Sequence, residues 1–245
     1  MNWLLIGIDD TDIPGVGGTG RLTRDLAAHL ESRGAGTVNG VTRHQLLEHP
    51  DIPFTSHNSA ACIALNSSQD LATVRDLCTG FLKASAVTGS DPGLAMAEPS
   101  LLPGEAVEFG RMAQVRVLGL DDAEGLARDT GILAESTGKP GQGIIGALAA
   151  VGLRGSGNDG RFIALRGIRE VSGVLRVGNI KETTDVVSVR TGAGTELNDD
   201  SLVDTLSWLR PRLIDGQAIL VVRPHGLRRG RWISVDARDR RGPKS

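Results

Sequence analysis

Leu4-Leu5-Ile6-Gly7-Ile8-Asp9-Asp10-Thr11-Asp12 is the stretch on which the reading of this chain turns. Residues 4–8 form a continuous apolar run that ends in turn-forming residues, the pattern of a buried strand. Three carboxylates follow within four positions. Packed so closely they repel one another; they are comfortable in solvent, or around a hard cation such as Mg²⁺ that takes carboxylate oxygens. In α/β folds ligands gather at the carboxyl ends of strands, so one expectation is a metal–phosphate site at Asp9, Asp10 and Asp12. The other is that the acids cap the next turn, as aspartate often does. The run by itself leaves both open.

Working outward, residues 12–20 are rich in Gly and Pro and form a loop. Leu22, Leu26 and Leu30 then recur at helical spacing, which predicts a helix over 19–32 closed by Gly34. Strands are expected at 38–42 and 60–65, separated by a polar loop over 44–58 that two prolines interrupt. A helix starts at Ser68 and runs through Val74, Leu77 and Phe81. Next come a loop at 89–93, a short strand at 94–97, a helix at 105–113 and a brief strand at 114–118. A helix capped by Asp121 or Asp122 runs through Ala127. From Phe162 onward strand signals dominate, at 162–165, 174–177, 186–189, 219–222 and 232–235, with a helix over 201–213 between them. The fold class is therefore α/β (α+β). The alternation over 61–119 suits a small α/β-sandwich insert between residues 1–60 and 120–245.

Composition narrows the function classes. A chain of 245 residues with 40% apolar content can bury one large core or two smaller ones. It shows no apolar run of membrane-span length and no signal-peptide pattern at its start, so the expectation is a cytoplasmic protein with no membrane partner. Cys62 and Cys78 have neither metal-ligand spacing nor the density of a disulfide scaffold. A net charge of −2 argues against a protein that coats nucleic acid by bulk electrostatics. Charge is nevertheless uneven: Arg223, Arg228, Arg229, Arg231, Arg238, Arg240, Arg241 and Lys244 stand against only Asp236 and Asp239 at the end of the chain. That tail is suited to phosphates, or is simply solvated. With no Tyr, four Phe and three Trp, an extensive base-stacking platform is not expected.

Three further clusters carry chemistry. Gly138-Lys139-Pro140-Gly141-Gln142-Gly143-Ile144-Ile145-Gly146-Ala147-Leu148 is a glycine-rich loop opening an apolar helix. Glycines let backbone N–H groups converge on an anion at a helix N-terminus, and Lys139 adds charge. It is neither a Walker motif nor a dinucleotide fingerprint, and Gly146 has the alternative task of close helix packing. Thr42-Arg43-His44 with His49-Pro50-Asp51-Ile52-Pro53 and Ser56-His57-Asn58 places three His and an Arg in one loop region. Arg223-Pro224-His225-Gly226 follows a strand.

In their order these motifs resemble the N-terminal half of the tRNA-isoleucine 2-agmatinylcytidine (agmatidine) synthetase family: IDDTD, a Gly/Thr turn into a helix, TR…HPDIPFTSHNSAACIAL, DPG, GQGIIGALAAVG and RPHG. The likeness runs over roughly 3–235. It implies a kinase-like α/β catalytic domain over 1–60 and 120–245 that uses ATP and Mg²⁺, and a ferredoxin-like insert at 61–119, with Asp9, Asp10 and Asp12 at the metal and phosphates and Lys139, Gly141 and Gly143 along the nucleotide. It also implies Arg43 and Asn58 near substrate and His225 at the far wall. In the family ATP activates a cytidine carbonyl that agmatine then displaces, a step that needs metal, cation and positioning more than covalent help.

The chain departs from the family in three places. Gly18-Thr19-Gly20 stands where the family has two adjacent threonines, the second a phosphate acceptor, so only Thr19 and Thr23 remain as candidates. His57-Asn58 replaces a Gly-Asn pair. The OB-fold and zinc-ribbon domains that hold tRNA in the family have no counterpart, nor is there a CxxC pair. The leading expectation is an ATP/Mg-dependent phosphotransferase or ligase acting on a small molecule, an amine among the candidates, or on RNA delivered by a partner. The alternatives are a stand-alone tRNA-modifying enzyme and a nucleotide-binding regulatory module.

Overall fold

The computed structural model describes residues 2–13, 15–52 and 57–236, and the chain divides into two compact units, Met1–Ile163 and Ala164–Ser245. The first contains β1 (Asn2–Asp9), α1 (Thr19–Ser32), β2 (Thr37–Gln45), β3 (Ser59–Ser67), α2 (Leu71–Ser85), β4 (Gly93–Ala97), α3 (Gly104–Ala113), α4 (Leu120–Thr130), β5 (Leu133–Ser136), α5 (Gly143–Gly155) and β6 (Arg161–Ala164) at its end. Its strands lie in the order β5-β4-β1-β3-β2-β6. The pairings β1–β3, β1–β4, β2–β3 and β4–β5 are all antiparallel. Mixed helix and antiparallel sheet place the unit in the α+β class.

This register decides where the site lies. Asp9 pairs with Gly93 and Ile8 with Leu94, while Gly93 also pairs with Ser136. The carboxyl end of β1 therefore meets the start of β4 and the end of β5. Sequence motifs about 80 and 130 residues apart arrive at one end of one sheet, through antiparallel neighbours and not through the parallel crossover that the strand-end argument assumed.

Strand β1 alternates as a strand buried on both faces must. Leu5 belongs with Cys62, Ala64, Ala95 and Ala97 to a core built against α3 and α5. Leu4, Ile6 and Ile8, each at most 2% exposed, point to the opposite face. Helix α5 is apolar all round because it is buried all round, from Ile144 to Leu153 apart from Ile145. Its small residues let it lie directly on the sheet: a Cβ on Gly7 would come within 2.1 Å of the Ala147 carbonyl oxygen. On its far side a Cβ on Gly152 would come within 1.9 Å of the Ala106 carbonyl oxygen in α3. Backbone thus meets backbone at both surfaces, the density expected of a native core.

The second unit contains β7 (Val174–Arg176), α6 (Val177–Thr183), β8 (Ser188–Thr191), β9 (Leu202–Asp204), β10 (Arg212–Ile214), β11 (Gln217–Pro224) and β12 (Arg231–Ser234). Strand β11 pairs antiparallel with β10 and β12 and parallel with β8; β12 pairs with β9, and β9 with β7. The Arg169 and Arg210 guanidinium groups each lie over the Trp208 ring, 4.2 Å from its centroid.

Four expectations are corrected here. Residues 201–213 are not a helix: Leu202–Asp204 joins the sheet as β9 and Arg212–Ile214 as β10. Leu206 has φ 56 and donates its N–H to Asp204 Oδ1, and Pro211 has no N–H to continue a helical ladder. Residues 114–118 form a turn after α3 and no strand. Helix α2 begins after Asp70, whose carboxylate accepts from Thr73 N–H, and not at Ser68, whose neighbour Ser67 still belongs to β3. Finally, 61–119 is not a separate insert, because β3 and β4 flank β1 in one sheet; the compact units divide at 163/164. Of the basic tail, Arg238, Arg240, Arg241 and Lys244 lie outside the described residues, as do Pro53 and Ser56 of the histidine-rich loop.

Candidate functional site

The acids take up different positions at the end of β1. Asp9 faces α5, where Gly146 makes room for it: a Cβ there would lie 1.7 Å from Asp9 Oδ2. Burial pushes its carboxyl up to about 8, with the charges of Asp10 and Asp12 adding and the Asp10 amide opposing. Asp10 has φ 51, a left-handed conformation that aspartate tolerates and that turns the chain out of the strand. Burial, then Asp91 and Asp12, push its carboxyl up to about 6. Asp12 faces the next helix: Thr19 Oγ1 donates to Asp12 Oδ1 at 3.2 Å and accepts from Thr11 Oγ1 at 3.3 Å. Thr23 is fully buried one turn on, its hydroxyl donating to the Thr19 carbonyl at 2.8 Å. Thr19 is thus the threonine whose hydroxyl adjoins an acid.

No Lys, Arg or His pairs with Asp9 or Asp10 among the described residues. The pair therefore ionises fully only beside an added cation, and its donors are the hard oxygens that Mg²⁺ selects. No group of three or more His, Cys, Asp or Glu is arranged to hold a metal among the described residues. Asp9, Asp10 and Asp12 consequently do not make a three-ligand cage. The donor set still fits Mg²⁺, which is commonly held by one or two carboxylates with phosphate oxygens and water completing its shell.

The glycine-rich loop holds a carboxylate of the chain itself. Gly141 N–H and Gln142 N–H donate to Asp91 Oδ2 at 2.6 and 2.7 Å, and Ser136 Oγ donates to Asp91 Oδ1 at 2.9 Å. The carboxylate of Asp91, 6% exposed, occupies the anion position that Gly141 was expected to offer a phosphate. The glycines fit the chain around it. A Cβ on Gly138 would lie 2.6 Å from Asp91 Cα, and one on Gly143 2.2 Å from the Asp91 carbonyl oxygen. Lys139 is exposed.

Arg43 pairs with Ala61, which also pairs with Ile8, so Arg43 lies at the same end of the sheet as the acids, its Nε donating to Ser59 Oγ at 2.8 Å. Asn58 precedes β3 at that end, and its side chain donates to the Leu47 carbonyl. His225 belongs to the second unit, with Nε2 3.9 Å from Asp204 Oδ2. His49 and His57 sit beside Asp51 and Glu48 on the surface.

Sequence reasoning missed two groups. Asp91 was visible only as part of a loop. His44 was counted as a loop histidine but lies in β2, fully buried. Its Nδ1 is 2.8 Å from Asp159 Oδ1 and its Nε2 2.8 Å from Thr42 Oγ1. Gln114 donates to the other Asp159 oxygen at 3.0 Å. Burial lowers the imidazole's pKa, against the pull of Asp159, while the bond to His44 lowers that of Asp159 despite its own burial. These shifts give an Nδ1–H donor to a carboxylate and an Nε2 acceptor for the threonine hydroxyl.

Fold and site together define a class: an antiparallel α+β domain whose acidic strand end meets the opening turn of a small-residue helix. Solved structures of TiaS, tRNAIle2 agmatidine synthetase, are similar to it in fold. The chain resembles apo TiaS at 27% identity and TM-score 0.54, over 61% of this chain and 35% of that one. It resembles TiaS in complex with the isoleucine tRNA and ATP at 28% and 0.55, over 62% and 36%. For the complex with the same tRNA, AMPCPP and agmatine the values are 27% and 0.53, over 62% and 36%. The likeness thus spans about a third of the TiaS chains. No family model matches the sequence, and no curated protein matches it. No helix among the described residues is long and apolar enough to cross a membrane.

Proposed function

We propose that this chain is an ATP-dependent phosphotransferase or ligase of the agmatidine-synthetase type that acts in RNA modification. The observation that carries the reading is the adjacent carboxyls Asp9 and Asp10 at the end of β1, raised by burial and with no basic partner among the described residues, in a fold similar to structures crystallised with ATP or an ATP analogue. Asp10 and Asp12, with Asp9 behind them against α5, would hold Mg²⁺ and through it the phosphates. The ion supplies charge neutralisation for phosphoryl transfer. The chain's own residues do the rest. Asp12 orients the Thr19 hydroxyl and is placed to take its proton. Arg43, at the same sheet end, is a cation for the acceptor side. The TiaS structures hold an isoleucine tRNA and agmatine, so an RNA base and an amine are the substrate classes to test.

Mg²⁺–ATP is expected to raise the melting temperature of the wild-type protein, and Asp10→Asn to abolish the shift. Absence of a shift in the wild type would refute the nucleotide site. ATP consumption stimulated by tRNA and an amine supports RNA modification. Consumption indifferent to RNA points to a small-molecule acceptor, and none under either condition to a binding module.

A further inference from the structure

We infer that Asp91 is a positioning residue for this acidic site, and that the glycine-rich loop is the socket that holds it. The inference rests on the nucleotide reading for its functional consequence and on geometry for its structural one. Asp91 acts in two directions at once. Its carboxylate takes both N–H groups at the mouth of α5 and the Ser136 hydroxyl. Its own N–H donates to the Asp10 carbonyl at 3.1 Å, the residue held at φ 51. One residue therefore ties the start of α5, the end of β5 and the left-handed turn of the acid run.

The socket is closely fitted around Asp91. Cβ atoms at Gly93, Gly138 and Gly143 would fall between 2.0 and 2.6 Å from atoms of the facing segment, so neither wall can carry a side chain. An anion needs converging N–H groups and a helix N-terminus, and both are here already satisfied by a tethered carboxylate. A phosphate consequently gains nothing from this turn. Anion affinity at the site depends on a cation held by Asp10 and its neighbours, and Asp91 keeps Asp10 in place for that cation.

The test compares wild type, Asp91→Ala and Asp91→Asn by thermal melting, by amide hydrogen exchange, and by binding of a non-hydrolysable ATP analogue over a range of Mg²⁺ concentrations. In Asp91→Ala the Gly141 and Gln142 amides and the amide of residue 91 are expected to exchange at least tenfold faster. Analogue affinity at low Mg²⁺ is expected to fall at least tenfold, with the deficit shrinking as Mg²⁺ rises. Asp91→Asn is expected to recover most of both, since its amide oxygen still accepts from the two N–H groups. Unchanged exchange in Asp91→Ala overturns the socket, and an affinity loss independent of Mg²⁺ overturns the positioning role. If Asp91→Ala does not fold, Ser136→Ala, which removes one of the three donors, carries the same comparison with a smaller expected change. A wild type that binds no analogue at any Mg²⁺ refutes the nucleotide reading instead, while the exchange comparison still decides the socket.

Discussion

Replacing Gly146 by alanine tests whether the Asp9 carboxylate is fixed against α5, because the same change elsewhere in this unit has the opposite sign. Gly80 lies inside α2 with nothing within 4 Å of an added Cβ, so Gly80→Ala gains the helix-propensity difference alone. That gain is about 0.8–1 kcal/mol, or roughly 2–4 °C in a unit of this size. Gly146→Ala collects the same propensity but places its methyl 1.7 Å from Asp9 Oδ2 and 2.5 Å from Asp9 Cγ. The carboxylate must leave or α5 must move, and overpacking of this kind costs about 1–3 kcal/mol. The net expectation is a loss of up to about 2 kcal/mol where the control gains about 1. Urea unfolding of both variants beside wild type gives the two numbers directly. A Gly146→Ala protein that is stabilised as much as Gly80→Ala would show that Asp9 is free to move, and would remove it from the site.

Gly7→Ala is expected to be worse than either, since its methyl would meet the Ala147 carbonyl of a helix that α3 holds from behind; loss of soluble folded protein on expression checks it. Leu148→Ala, at a fully buried position on the same helix, should cost about 2–5 kcal/mol in urea unfolding. His44 sets an acid limit. Burial lowers its folded pKa below 6.5, so just under that pH the unfolded chain binds more protons than the native one. The stability from neutral His44 is complete above 6.5 and lost as pH falls below it, and His44→Gln should flatten the slope of melting temperature over that window. A variant with the wild-type slope would assign the acid sensitivity to another group.

Local pattern carried the elements whose cause is local. Leu22, Leu26 and Leu30 sufficed to place α1, and the apolar run before Asp9 sufficed for β1, because periodicity and burial coincide there. Residues 201–213 were misread for the converse reason: their leucines are spaced for a helix, while their partners are strands that begin after residue 216 or before 177. The acid cluster was legible as residue types but not as geometry. Its antiparallel neighbour, the turn at Asp10 and the clasp between Asp91 and Gly141 depend on a register that no short window contains. The pair His44–Asp159 spans 115 residues, and its composition differs in no way from that of two surface groups.

The two guanidinium groups over Trp208 give the second unit an optical identity of its own. An indole with two guanidinium charges 4.2 Å from its ring emits under a local field unlike that at Trp3, which lies in β1 of the first unit and is 46% exposed. Intrinsic fluorescence is therefore divided between the halves of the chain without any label. A denaturant titration followed at two emission wavelengths can report whether the two units melt together or in turn, using only the tryptophans the protein already carries.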